Sequence, residues 1–129
     1  MVYETCKACQ RNGLGRVCLI STAGTRKKDL YGHYAFVMGI DLIYPEKELC
    51  DKISEVIARI KKGENISLTE LEPHLKNIDC DGFILACTEL SVALDRTPEP
   101  SFTYIDSLSA LASASLKACG VRSKKLPYT

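Results

Sequence analysis

The sequence has no tryptophan and only two histidines in 129 residues, and neither sign of charge prevails: 17 Lys+Arg stand against 16 Asp+Glu, a formal net charge of +1. That balance excludes a broad electrostatic footprint for nucleic acid or an anionic membrane surface. Long apolar runs are also missing, and none approaches the ~20 residues of a membrane span. Met1-Val2-Tyr3-Glu4 lacks the basic-then-apolar order of a signal peptide, so the expected location is the cytoplasm. No internal repeat or low-complexity tract divides the chain.

What is present describes one ordinary soluble domain. Residues are 46% apolar, 7% aromatic and 26% charged, a globular and not a disordered composition. A chain of this length buries roughly two thirds of its unfolded surface and needs no metal or disulfide to fold. Seven cysteines, at Cys6, Cys9, Cys18, Cys50, Cys80, Cys87 and Cys119, are scattered through apolar segments; most are expected to be small buried hydrophobes. Cys6-Lys7-Ala8-Cys9 has the spacing of half a zinc site, but no second Cys or His pair matches it, and it precedes the first strand, where a thioredoxin-like pair would not lie. No metal is expected.

Apolar runs alternate with helical periodicity. A helix over 2–12 ends at Asn12-Gly13-Leu14-Gly15, where glycine supplies a left-handed cap and not a dinucleotide loop. Val17–Ile20 is a continuous apolar run suited to a strand buried on both faces. Helical periodicity returns from Asp29 to Met38, followed by a strand at Asp41–Tyr44 that ends at Pro45. A long helix from about Glu46 to Lys62 carries Leu49, Ile53, Val56, Ile57 and Ile60 on one face. Ser67 and Glu70 form a capping-box pattern for the next helix, which carries His74 as a surface or capping histidine. Strands follow at Gly82–Ala86 and Phe102–Ile105, then a helix from Ser107 to near Gly120 and a basic, solvated tail at Arg122–Lys125. The pattern predicts an α/β, three-layer flavodoxin-like or Rossmann-like domain over residues 1–129, with a four-stranded parallel sheet.

In such sheets ligands bind beyond the carboxyl ends of the strands. The positions where apolar runs turn polar are Ser21-Thr22-Ala23-Gly24-Thr25, Tyr44-Pro45-Glu46, Cys87-Thr88-Glu89 and Asp106-Ser107. Cys87, at a strand end and a helix start, faces the positive end of a helix dipole and is a candidate thiolate base or nucleophile. The alternative is a buried structural cysteine. The hydroxyls of Thr22, Thr25 and Thr88, with nearby helix-start amides, suit a carboxylate, and Gly24 permits close backbone approach. Arg26-Lys27-Lys28 would begin a helix, where cations conflict with the dipole and an anionic ligand would relieve them; the alternative is exposed side chains pointing into water.

Ile20-Ser21-Thr22-Ala23-Gly24-Thr25, Tyr31, Gly39-Ile40 leading to Pro45, Asp81-Gly82-Phe83-Ile84-Leu85-Ala86-Cys87-Thr88-Glu89-Leu90 and Tyr104-Ile105-Asp106-Ser107 together resemble the second, C-terminal domain of the aspartate/glutamate racemase family. The resemblance spans about Glu4 to Cys119, with Cys-Thr-Glu its most specific element. It implies a cofactor-independent (PLP-independent) amino-acid racemase with its site between two similar α/β domains, where paired cysteines remove and deliver the α-proton on opposite faces. It implies Cys87 as one of those cysteines, Thr88 at the substrate α-carboxylate, and Thr22 and Thr25 in the hydroxyl-bearing loop. Lys61 aligns with a lysine that approaches the side-chain carboxylate of aspartate, with Lys62 next to it. Glu89 stands where glutamate racemases carry histidine, which points toward the aspartate branch.

The family's first domain, with its glycine-rich loop and Cys-Asn-Thr motif, has no counterpart in these residues. One acid/base cysteine cannot serve both faces of the α-carbon, and an open half-cleft does not exclude the water that weakens carbanion stabilisation. The sequence is therefore expected to represent a racemase fragment that is inactive alone. A homodimeric racemase with Cys87 from each chain, and a non-catalytic carboxylate-binding or regulatory module built on Thr22, Thr25 and Thr88, are the alternatives. The resemblance also implies that the last helix, about 107–118, packs against the missing domain, which would leave Leu108, Leu111, Ala112, Ser115 and Leu116 as an orphan face for a partner, and a homo-oligomer is expected.

Overall fold

A computed structural model describes residues 1–120; the basic tail lies outside the described residues. Helix α1 (Val2–Arg11) leads into β1 (Arg16–Ile20), α2 (Ala23–Lys27), α3 (Gly32–Val37) and β2 (Asp41–Ile43). Then come α4 (Lys47–Lys61), a 3-10 helix (Leu68–Glu70), α5 (Glu72–Leu75), β3 (Gly82–Leu85), α6 (Thr88–Asp95), β4 (Tyr104–Asp106) and α7 (Ser107–Ala118). The four strands are all parallel in the order β2-β1-β3-β4.

The continuous apolar strands are explained by two cores, one on each face. Successive residues of a strand point to opposite sides, so Cys18, Ile20, Phe83 and Leu85 pack with Leu49, Ile53, Val56, Leu71 and Leu90. Val17, Leu19, Ile84 and Ile105 pack on the other face with Cys6, Cys9, Tyr31, Ala35 and Ala110. Helices α4, α5 and α6 therefore cover one face, and α1, α3 and α7 the other. The Asp81 carboxylate accepts the Gly15 and Arg16 amides at 3.0 and 2.9 Å and joins the start of β1 to that of β3.

Several boundaries differ from the sequence expectation. The periodicity of 29–38 is interrupted because Asp29 adopts a φ of 51° and Gly32 lies against the Asp29 carboxylate, leaving α3 short. The fourth strand starts at Tyr104 and reaches Asp106, because register is set by Phe83 opposite Tyr104, while the Phe102 ring packs edge-on against both Phe83 and Tyr104. Ser67 does cap, accepting from the Thr69 amide, but Glu70 turns away to Arg59 at 2.8 Å, so the reciprocal half of the box is not formed. Gly13, at φ 69°, closes α1 as expected.

Cysteine burial is more mixed than expected. Cys6, Cys9 and Cys18 are buried, Cys50, Cys80 and Cys87 are partly exposed, and Cys119 is exposed. Helix α7 buries Ala110 and Ser113 and packs chiefly on α1, while Leu108 and Leu116 remain outside. Among the described residues, no helix is long and apolar enough to cross a membrane.

Candidate active site at the carboxyl end of the sheet

Cys87 is the residue on which β3 becomes α6. The buried run Gly82–Leu85 ends, the chain stays extended at Cys87 (φ −152°, ψ 135°), and the helix begins at Thr88. The half-buried thiol donates to Glu89 Oε2 at 3.0 Å, and Thr88 Oγ1 donates to the same oxygen at 3.0 Å. Glu89 Oε1 faces Lys61 Nζ, from the last turn of α4, at 4.0 Å. Four of the candidate residues thus form one connected cluster.

The thiol's proton affinity moves opposite to the helix-dipole expectation. Burial pushes the Cys87 thiol up, the Glu89 carboxylate pushes it further, and the amides of Glu89 and Leu90 only partly oppose them. Glu89 moves below its ordinary value, first through the Cys87 hydrogen bond, with help from Thr88 and the Lys61 charge. The opposite shifts report one arrangement, a neutral thiol donating to an ionised carboxylate. Cys87 therefore rests as a proton donor with a proton acceptor in contact, and not as a thiolate.

The hydroxyl loop forms a second group. Thr22 caps α2 by accepting the Thr25 amide, and the two hydroxyls lie 3.2 Å apart. A cavity of about 180 Å³ is lined by Thr22, Ala23, Ser54, Ile57, Ala58 and Lys61. Lys61 thus belongs to both groups, whereas Lys62 is the exposed C-cap of α4. Gly24 is exposed, and an added Cβ would meet only Thr22 Oγ1 at 4.0 Å, so the protein itself leaves room there.

Two sequence expectations about this end are corrected. Arg26 and Lys27 occupy the last turn of α2, where the dipole favours cations, and Arg26 donates to the Ser21 carbonyl at 2.9 Å. The conflict with the dipole is therefore absent, and Lys27 and Lys28 are exposed to water. Tyr44-Pro45-Glu46 is not part of the cluster, because β2 ends level with Cys18, short of the end of β1. Those residues line a separate groove of about 570 Å³ with Leu49, Pro73, exposed His74, Asn77 and Ile78, near the amino end of β3.

Asp106 and Ser107 lie at a strand end but are buried and engaged. Asp106 accepts Ser91 Oγ at 2.5 Å and Ser109 Oγ at 2.8 Å, and Ser107 Oγ lies 2.9 Å from Tyr31 Oη. Ser54 was not singled out from the sequence. Its signal was its place with Ile57, Ala58 and Lys61 on one helical face, three, four and seven residues apart.

A family model described as Asp/Glu/Hydantoin racemase matches residues 1–115. Among solved structures, a Picrophilus torridus aspartate racemase superposes with a TM-score of 0.75 at 26% identity, covering 96% of this chain and 53% of that one. An aspartate racemase homologue from Pyrococcus horikoshii OT3 shares the fold at a TM-score of 0.76 and 20% identity, covering 92% of this chain and 54% of its own. The chain spans about half the length of these solved structures.

Proposed function

Since this chain belongs to the Asp/Glu/Hydantoin racemase family, we propose that it forms one half of a cofactor-independent amino-acid racemase site of the aspartate type, with Cys87 as one of two acid/base groups. The observation that carries this reading is the contact of Cys87 with Glu89 at the end of β3. A protonated thiol can hand its proton to a carbanion, and the thiolate left behind takes a proton back from a later substrate's α-carbon or from water, with the Glu89 carboxylate orienting the sulfur.

Thr88 and the Thr22–Thr25 loop are the proposed seat of the α-carboxylate, with Gly24 giving access, and Lys61 is the proposed partner of the side-chain carboxylate. The opposing acid/base group is assigned to a second polypeptide segment or a second copy of the chain. Cys6, Cys9 and Cys18 are buried in the cores, with burial pushing their thiols up to about 11, 12 and 12. They are poor candidates for the role.

The test is α-proton exchange of L- and D-aspartate in deuterated water, read together with racemisation, with Cys87→Ala as control. The chain alone is expected to bind aspartate, measured as a ligand-dependent rise in Tm, without racemising it. Racemisation at concentrations where light scattering reports a monomer would overturn the half-site reading. A homodimeric enzyme is the second reading, favoured by Leu108 and Leu116 standing exposed on α7. It requires racemisation that rises with the square of chain concentration below the dimer Kd.

A further inference from the structure

Glu89 is where the two groups of site residues meet. One carboxylate oxygen takes the Cys87 and Thr88 hydrogen bonds, both at 3.0 Å, while the other faces the Lys61 ammonium at 4.0 Å. Lys61 also lines the cavity beside Thr22 and Ser54. Its ammonium thus stands within reach of two anions, the Glu89 carboxylate and any carboxylate held in that cavity.

We propose that Lys61 is a positioning residue that governs the proton affinity of Cys87 through Glu89, so that a dicarboxylate taking Lys61 into the cavity couples binding to the state of the thiol. The inference rests on the racemase reading for the class of ligand only; the coupling itself is a property of the residues in contact. The ammonium offsets part of the carboxylate's field. With it in place, a thiolate at Cys87 faces a compensated charge. Drawn away, it leaves the carboxylate bare, and the thiol holds its proton more tightly. Removing the Glu89 charge has the reverse effect, because the thiol loses both its acceptor and the repelling anion.

The other charged groups at this end are committed elsewhere or face solvent. Arg26 is held on the Ser21 carbonyl, Asp106 is bound by Ser91 and Ser109, and Lys27 and Lys28 are exposed. Lys61 is itself 57% exposed, so screening keeps the effect modest.

The experiment is the pH dependence of Cys87 alkylation by iodoacetamide at low salt, resolved from the other cysteines by peptide mass spectrometry. Lys61→Met is expected to slow alkylation near pH 8 by about two- to fivefold, the range for an exposed ion pair, and to move the midpoint upward. Lys61→Arg should restore both. Glu89→Gln should speed alkylation, and in that background Lys61→Met should have little further effect. Succinate should raise the midpoint in the parent chain and leave it unmoved in Lys61→Met. An equal Lys61→Met effect with and without Glu89, or none in the parent, overturns the proposal. Racemisation does not enter this readout: a chain that shows the coupling without racemising upholds the inference while the half-site reading is judged on its own test.

Discussion

The ends of β3 and β4 have the same description in sequence, an apolar strand turning polar as a helix begins, yet they became different things. At β3, Cys87 is half-buried, Thr88 is exposed and Glu89 reaches both a thiol and a cation. At β4, Asp106 and Ser107 are buried and their side chains are taken up by Ser91, Ser109 and Tyr31. A strand-end polar residue is available for chemistry only when its neighbours have not already satisfied it. The β4 end is a polar clamp between α6, α7 and the start of α3, and the β3 end is an accessible cluster of a thiol, a hydroxyl and a carboxylate facing a cation.

The sharpest way to break this contrast is to remove one side chain from each end. Asp106→Ala leaves the buried Ser91 hydroxyl and the partly buried Ser109 hydroxyl without their acceptor and should cost about 2–3 kcal/mol, measured as a lower urea midpoint. Cys87→Ala should stay within about 1 kcal/mol of the parent and act on proton exchange instead. Equal losses at the two ends would dissolve the distinction.

A second contrast separates Cys87 from the buried thiols. Burial raises Cys9 and Cys18 to about 12, so they ionise near 9.0 when the chain is unfolded but not while it is folded. Between those values the folded state binds more protons, so their contribution is complete below about pH 9 and is lost as pH rises towards 12. The expected slope is at most about 1.4 kcal/mol per pH unit for each thiol, read from urea unfolding between pH 8 and 10. Cys9→Ala and Cys18→Ala should each flatten it.

The same logic distinguishes two threonines. Thr97 is buried, accepts the Leu68 amide at 2.8 Å and donates to the Ala93 carbonyl at 2.7 Å, while Thr88 is exposed at the site. Thr97→Val should cost about 1–2 kcal/mol. Thr88→Val should change stability by less than about 0.5 kcal/mol but weaken the aspartate-dependent rise in Tm. A stability loss at Thr88 matching that at Thr97 would place it in the scaffold.

Much of the fold was legible because its strands are buried on both faces, and such strands read as short unbroken apolar runs such as Val17–Ile20 and Phe83–Leu85. The errors came where non-local contacts decide. Asp29 bends the chain out of helix, and Glu70 prefers Arg59 to the amide that a capping box would offer it. Tyr44–Glu46 follows a strand that stops short, so its polar residues belong to another groove. Of the candidate site, Cys87, Thr88, Glu89 and Lys61 were named from motif and resemblance. Ser54 was not, because one small polar residue on an amphipathic helix carries no local mark of the cavity it lines.

Sequence alone determined the alternation of strands and helices, the parallel sheet and the Cys-Thr-Glu turn at the end of its third strand, since these depend on patterns a few residues long. Tertiary structure decided the chemical character of that turn. A thiol at a helix start is drawn toward ionisation by nearby amides, but burial and the Glu89 carboxylate act more strongly and keep the proton on sulfur. Only folding brings Lys61, from the far end of α4, to the other side of that carboxylate, because the balance at Cys87 is set by charges that are neighbours in space and distant in the chain.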